Sequence, residues 1–456
     1  MSPMHDRGGA SDFGGASIVE RGNDLRVASP PWWQVAGWSA LVAFSVAHFL
    51  YSGVIKPWTT LTGDLMSAFP GPVTLRVSQA IPWMARDWVE PSIGWNNGPI
   101  PLMWNYGPVL HLIMLPFGLA SSRMQAMQLI LLFDYILLAL TFALWIRLLF
   151  PGHRHPFAWV GILCIWLNYF PLLEALMGRE IEIFELFLIT IGLWLLRRKR
   201  QALAGLAFGF AMMTKFLPVV FIPYLFLKGY RRGGWISLVT VVTFAVGAQL
   251  VLGWQWSVTL ALARREQAAA VFPTAYANQA LSNVLYKTFT AFNINDPRPP
   301  TLYPYPLHAI GTALSAAVLL ATAWFIVRWR RGRLLELESA FLAIVMCLLP
   351  SHANTYYFVF ALPALSIGVA ALAQRPDAFS ASSKLALAGA IALMGFLVPM
   401  KVFEIATRIP GVLIARVLQG WSLPAYGSIL AVGLMVELHR ISRAGQPVLS
   451  ADQHRV

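Results

Sequence analysis

The strongest constraint on this chain is the alternation of long apolar runs with short basic clusters. Runs near the length that crosses hydrocarbon as a helix, about 20 residues, recur from Trp32 to Glu437, and Lys and Arg collect between them. In lipid, backbone polar groups must be satisfied within the segment itself, so such a chain folds as an α-helical bundle. The 57% hydrophobic and 12% charged residues, with a mean hydropathy of +0.62 over 456 residues, exclude a soluble domain. The net charge of +14 is divided among segment ends, where it reports topology and contact with anionic lipid headgroups rather than nucleic acid. Cys164 and Cys347, the two cysteines, both lie in apolar runs, so neither a disulfide framework nor a cysteine metal site is expected.

The basic clusters orient the segments. Arg21 and Arg26 favour an inside N-terminus, and residues 1–31, rich in Gly, Ser, Asp and Arg, read as a disordered cytoplasmic tail. A first span from Trp32 to Ile55 leads to an outer loop of about 56–106, with interfacial helices between Val73 and Trp88. The apolar run ending at Ala120 is short for a span and reads as an outer half-helix, because a crossing there would push Arg147, Arg154 and Arg197-Arg198-Lys199-Arg200 outside. Spans follow near Gln125–Leu149, Phe157–Pro171 and Ile181–Leu196, with an outer bend from Glu174 to Glu180. Ala202–Leu227 has basic clusters on both flanks and is too short for two crossings, so the spacing predicts two shortened helices meeting at Lys215; a single crossing is the alternative. Further spans fall near Trp235–Leu252, Leu307–Val327, Glu338–Leu349, Tyr357–Leu372, Lys384–Pro399 and Leu423–Glu437, with a second outer loop at 253–306. The expected architecture is an all-α polytopic bundle, residues 32–438, of about ten transmembrane helices plus partial elements. Residues 439–456 form a cytoplasmic tail, and both termini are inside.

On this topology the polar residues without a simple topological role gather on the outer side: Asp64, Tyr106, Arg179, Glu180, Lys215, Asn278, Gln279, His352 and Asn354. Asp64 is either a general base for an acceptor hydroxyl or a helix cap or solvated loop acid. Asp134, deep in its span, is either the structural partner of a buried Arg, Lys or Asn or part of a proton path. Glu182 and Glu185 share a helix face at i, i+3, and the helix dipole alone favours carboxylates there. Lys215 lies mid-segment and is not explained as a flank; with Lys401, Arg408 and Arg416 it is a candidate to hold an anionic head such as a phosphate. His352 either donates to a phosphate oxygen or caps the next helix, and no histidine ligand spacing points to zinc.

The order of motifs resembles the polytopic GT-C superfamily, and is most similar to glycosyltransferase family 87. The motifs are Asp64; Trp104-Asn105-Tyr106-Gly107-Pro108; Asp134; Leu167-Asn168-Tyr169-Phe170-Pro171 with Gly178-Arg179-Glu180; Ala204 to Ala211 with Thr214-Lys215-Phe216-Leu217-Pro218; Asn278-Gln279-Ala280-Leu281; and Leu349-Pro350-Ser351-His352 with Tyr356-Tyr357. The resemblance implies a polyprenyl-phosphate hexose donor, mannose first, and inverting transfer to a lipid-linked or cell-envelope glycan at the extracytoplasmic face of the plasma membrane. It gives Asp64 the role of base, and Lys215 and His352 roles at the donor phosphate and in organising the site. Related families often carry Asp-x-Asp in this loop; here Thr62 and Met66 flank Asp64 at that spacing, so no divalent metal cofactor is expected. Arg179 stands where the family usually has Gln, and Gly107 where it has a second proline. A transporter or flippase of lipid-linked sugars is the reading from another class, which broken helices would suit. The absence of an evident internal repeat and the long outer loops favour the enzyme. A non-catalytic scaffold, the third reading, would leave Asp64 without a cavity or cationic neighbours.

Overall fold

A computed structural model describes residues 31–59, 113, 116–117, 123–150, 156–252, 279–289, 305–328, 335–350, 353–395 and 422–443. Among these the fold is helical, with no strand. The helices are α1 (Trp32–Phe49), α2 (Lys56–Thr59), α3 (Arg123–Leu149), α4 (Pro156–Asn168), α5 (Phe170–Gly178), α6 (Glu182–Arg197), α7 (Gln201–Lys215) and α8 (Phe221–Leu227). They continue with α9 (Arg231–Leu252), α10 (Leu281–Phe289), α11 (Tyr305–Arg328), α12 (Leu335–Leu348), α13 (Leu362–Gln374), α14 (Ala381–Gly395) and α15 (Leu423–Arg443). A π-helical turn, Leu50–Ile55, joins α1 to α2, and 3-10 turns at Leu217–Val220 and Thr355–Ala361 precede α8 and α13.

The chain divides into two compact units, Met1–Leu41 and Val42–Val456. In the first, the opening of α1 is apolar and exposed, with Trp32 at 80%. The second holds the bundle and every polar contact discussed below.

Among the described residues, four helical stretches are long and apolar enough to cross a membrane: Trp32–Thr59, Met127–Leu149, Ala309–Arg328 and Thr355–Gln374. The bent pair α4–α5 makes a fifth if taken as one span. Exposed apolar residues form stripes at helical spacing: Leu129, Leu132, Ile136 and Leu140 on α3, and Val239, Val242, Val246 and Leu250 on α9. A stripe of this kind on the outside of a bundle faces lipid. Helix α12 is buried at every position and forms the centre. The chain is a helical membrane protein.

Two sharp breaks shape the bundle. Helices α4 and α5 meet at 48°, where Tyr169 is extended and Pro171 sits in the first turn of α5. That proline cannot donate back into α4 but is pre-organised for a new helix start. The helix therefore runs on to Gly178, and the bend expected from Glu174 narrows to Arg179–Ile181. The second break lies at Phe216, which has φ 58° and ψ −10° and ends α7.

Helices α6 and α7 form an antiparallel hairpin about the turn Arg198–Lys199. Helix α7 then packs on α9 through Gly205 and Gly209. A β-carbon at Gly205 would fall on the carbonyl oxygen of Gly233, and one at Gly209 would lie 2.6 Å from Thr240 Cβ. Ser237 Oγ donates to Gly205 O at 2.9 Å. Small residues four apart let two backbones approach in lipid, where the hydrophobic effect does not drive helices together.

Ion pairs fix one end of this assembly. Arg197, at the end of α6, reaches Glu336 at 2.5 Å, and Lys228, just past α8, reaches Glu338 at 2.5 Å. Tyr224 donates to Glu338 at 2.9 Å. Because Glu336 and Glu338 both open α12, segment 201–228 leaves and returns to the same end of the bundle. Helix α7 rises about 22 Å, and the 3-10 turn with α8 descends about 18 Å. This is the geometry that two shortened helices meeting at Lys215 require.

Candidate functional site

At the apex of that excursion stands Lys215, the last residue of α7. Its ammonium pairs with Glu182 in the first turn of α6. The Lys215 side chain is 8% exposed and that of Glu182 0%, so the pair is taken out of water and needs its geometry to persist. The Tyr357 and Tyr356 rings stand 4.1 and 5.2 Å from Lys215 Nζ, within cation–π range. Asn354 Nδ2 donates to the Tyr356 hydroxyl at 2.8 Å. One helical turn along α6, the buried carboxylate of Glu185 accepts from Thr214 Oγ1 at 2.6 Å. The ammonium is thus held on one side by a carboxylate and on another by two aromatic faces.

Arg179 and Glu180 border the same end. Helix α5 closes in a Schellman arrangement: Glu180 N donates to Ala175 O at 2.9 Å and Arg179 N to Leu176 O at 3.3 Å. The left-handed position this motif requires is filled by Arg179, at φ 53° and ψ 51°. Glu180 folds back over Gly178, where a β-carbon would stand 2.6 Å from Glu180 Oε1. Arg179 is fully buried; its guanidinium donates to Pro57 O at 2.5 Å and Met177 O at 3.2 Å. Burial pushes the guanidinium below its ordinary pKa, and Tyr135 and Asp134 draw it back up. Asp134 is buried as well, at 4% exposed. Gln279 is also buried, and its backbone N–H bonds Ala353 O at 2.6 Å, joining the start of α10 to the Asn354–Tyr357 segment.

Of the nine residues proposed from sequence, Arg179, Glu180, Lys215, Gln279 and Asn354 come to one end of the bundle. Asp64, Tyr106, Asn278 and His352 lie outside the described residues, as do Lys401, Arg408 and Arg416. Sequence reasoning left Glu182 without its partner, yet the signal was present. Glu182 and Lys215 lie equally far from the Arg198–Lys199 turn, so an antiparallel hairpin brings them level. Thr214 and the tyrosine wall around Lys215 carried no such signal. Among the described residues, no group of three or more His, Cys, Asp or Glu converges as metal ligands would.

The model of glycosyltransferase family 87 matches residues 104–350, more than half of the chain. The chain belongs to glycosyltransferase family 87. Among curated proteins and among solved structures, none matches it. The family 87 region contains Arg179, Glu180, Glu182, Lys215 and Gln279; Asp64 precedes it, and the tyrosine pair follows it by a few residues. Membership makes the protein a membrane glycosyltransferase, which requires a sugar donor and an acceptor.

Proposed function

We propose that the protein transfers a hexose, mannose in the first instance, from a polyprenyl-phosphate donor to a lipid-linked or cell-envelope glycan hydroxyl at the outer face of the plasma membrane. The observation that carries this reading is the caged Lys215 ammonium at the apex of a broken helix pair, inside the family 87 region. In this reaction the acceptor oxygen bonds to the anomeric carbon as the bond from that carbon to the donor phosphate breaks, with inversion. The phosphate leaves as an anion and needs no general acid; cationic groups have only to hold its charge. Lys215 is the cation we assign to it, aided by His352, while Tyr106, Asn278, Gln279 and Asn354 line the substrates and Asp64 takes the acceptor proton.

Chain length supports the base assignment. Asp64 follows Thr59, the end of α2, by five residues, which limits its distance from the helix end to about 18 Å. That end is the one Arg179 holds. With Thr62 and Met66 in place of a second carboxylate, the transfer proceeds without a divalent cation. The shortened pair α7–α8 dips into the outer leaflet and returns, so both termini and the Arg197 and Lys228 clusters are cytoplasmic.

The test is transfer from defined polyprenyl-phosphate sugars by purified protein in detergent, with EDTA present. Wild type should transfer mannose, and Asp64→Asn should lose at least about a hundredfold in kcat, the scale of general-base catalysis. Transfer at the wild-type rate by Asp64→Asn would sink the base assignment. No transfer from any such donor, with ATP-independent movement of lipid-linked sugar across vesicles, would favour a transporter.

A further inference from the structure

The backbone just before the first outer loop is irregular, and its irregular groups are met from elsewhere in the bundle. The turn Leu50–Ile55 is π-helical, with Lys56 N–H bonded five residues back to Tyr51 O; such turns are rare and concentrate at functional sites. Pro57 follows and has no N–H, so Gly53 O, four residues back, loses its α-helical donor. The Tyr135 hydroxyl supplies a replacement at 2.8 Å. Pro57 O in turn accepts the Arg179 guanidinium at 2.5 Å. Two carbonyls of one short segment are thus gripped by two side chains from different elements, α3 and the α5–α6 turn.

Arg179 is an unusual residue for its position. A left-handed helix terminus is cheapest with glycine, because an L side chain there crowds the neighbouring carbonyl. An arginine held in that conformation, buried, with its guanidinium on the Pro57 carbonyl, points to a task for the side chain itself.

We propose that Arg179 is a positioning residue: with Tyr135 it clamps the carbonyls of Pro57 and Gly53, fixes the point from which the first outer loop departs, and so sets where that loop presents its chemistry. Arg179 therefore acts through the loop rather than on the substrate. The inference rests on the proposed transfer reaction for its kinetic consequence, but the clamp itself is measurable without any substrate.

Hydrogen–deuterium exchange on purified protein in detergent provides that measurement. Arg179→Gly removes the side chain while relieving the left-handed backbone. It should quicken exchange of the amides from Val54 to Thr59 by about tenfold or more, the scale of a hydrogen bond from a charged group, without quickening exchange in α5. Tyr135→Phe, which deletes only the hydroxyl, should act in the same direction by a smaller factor; it carries the test should Arg179→Gly fail to fold. Unchanged exchange over 54–59 in both variants would overturn the clamp. In the transfer assay, Arg179→Gly should lower kcat with the donor KM within about twofold of wild type, whereas Arg179→Lys, which keeps a cationic donor for the Pro57 carbonyl, should recover part of kcat. A raised donor KM at unchanged kcat would instead make Arg179 a substrate contact. Wild type without transfer activity would remove the reaction and leave the exchange result to decide the clamp.

Discussion

Breaking and then rebuilding the Lys215–Glu182 pair separates its part in folding from its part in chemistry. Both side chains are out of water, 8% and 0% exposed, so solvent screening does not discount the interaction. Lys215→Met leaves the Glu182 carboxylate buried beside Glu185 and forfeits two cation–π contacts. Truncating one partner of such a pair costs about 3–5 kcal/mol, most of it the uncompensated charge. Glu182→Leu should cost a similar amount by stranding the ammonium. The double variant strands neither group. Apolar replacement of a whole buried pair is often close to neutral, so it should unfold within about 2 kcal/mol of wild type. Equilibrium unfolding in detergent micelles, followed by tryptophan fluorescence, gives the three values and a coupling of at least about 2 kcal/mol. Additivity within about 0.5 kcal/mol would refute the pair as a structural unit. The chemical prediction is the opposite of rescue: the stable double variant should remain inactive, because the cation for the donor phosphate is gone. Recovery of both stability and transfer would remove Lys215 from the reaction.

Two further outcomes follow from the packing. Gly205→Val should separate α7 from α9, because its first carbon already meets the Gly233 carbonyl; overpacking on this scale costs about 1–3 kcal/mol. The loss should appear as a lower unfolding midpoint, and an unchanged midpoint would contradict the close contact. Lys287, on the short amphipathic helix α10, is pushed down by burial from its ordinary 10.5 to about 7. The folded state then binds fewer protons than the unfolded state between those values, so stability should rise as pH increases from about 7 towards 10. Lys287→Met should flatten that part of the stability profile; an identical slope in the variant would refute the shift.

Much of the fold was legible because lipid leaves few options. Helix ends fall within a few residues of the expected segments where a basic cluster or a proline marks them, as at Leu149, Arg197 and Arg328. The break near Lys215 was readable from length and charge together, since 26 residues between two basic flanks cannot cross twice. Pro171 misled the reading of α5, because a proline that ends one helix also suits the first turn of the next. The pairing of Arg197 and Lys228 was missed for a different reason. Their topological role accounts for them fully in sequence, and nothing local points to Glu336 and Glu338 more than a hundred residues away. At the site, the Glu182–Lys215 pairing follows from hairpin arithmetic. The tyrosine wall depends on where α12 ends against α5 and α6, which no local pattern encodes.

The distribution of strain argues that this end of the bundle is built for more than packing. Among the described residues, four other than glycine have positive φ: Arg179, Lys199, Phe216 and Ser422. Lys199 is exposed in the α6–α7 turn, where a left-handed residue merely reverses the chain. Arg179 and Phe216 differ, for they stand where α5 gives way to α6 and where α7 breaks, on either side of the Glu182–Lys215 pair. A bundle selected for stability alone would place glycine at both and retain the same helices. Here a buried arginine and a large aromatic hold the strained positions, beside a buried ion pair whose desolvation is itself expensive. These two strained positions, the Lys215–Glu182 pair and the two gripped carbonyls of the Gly53–Pro57 segment lie together at the end opposite the Arg197–Glu336 and Lys228–Glu338 pairs, whose carboxylates are buried too. Costs this concentrated are retained where preorganisation is needed, and in a glycosyltransferase that need is greatest where an anionic leaving group and an incoming hydroxyl must be held in line.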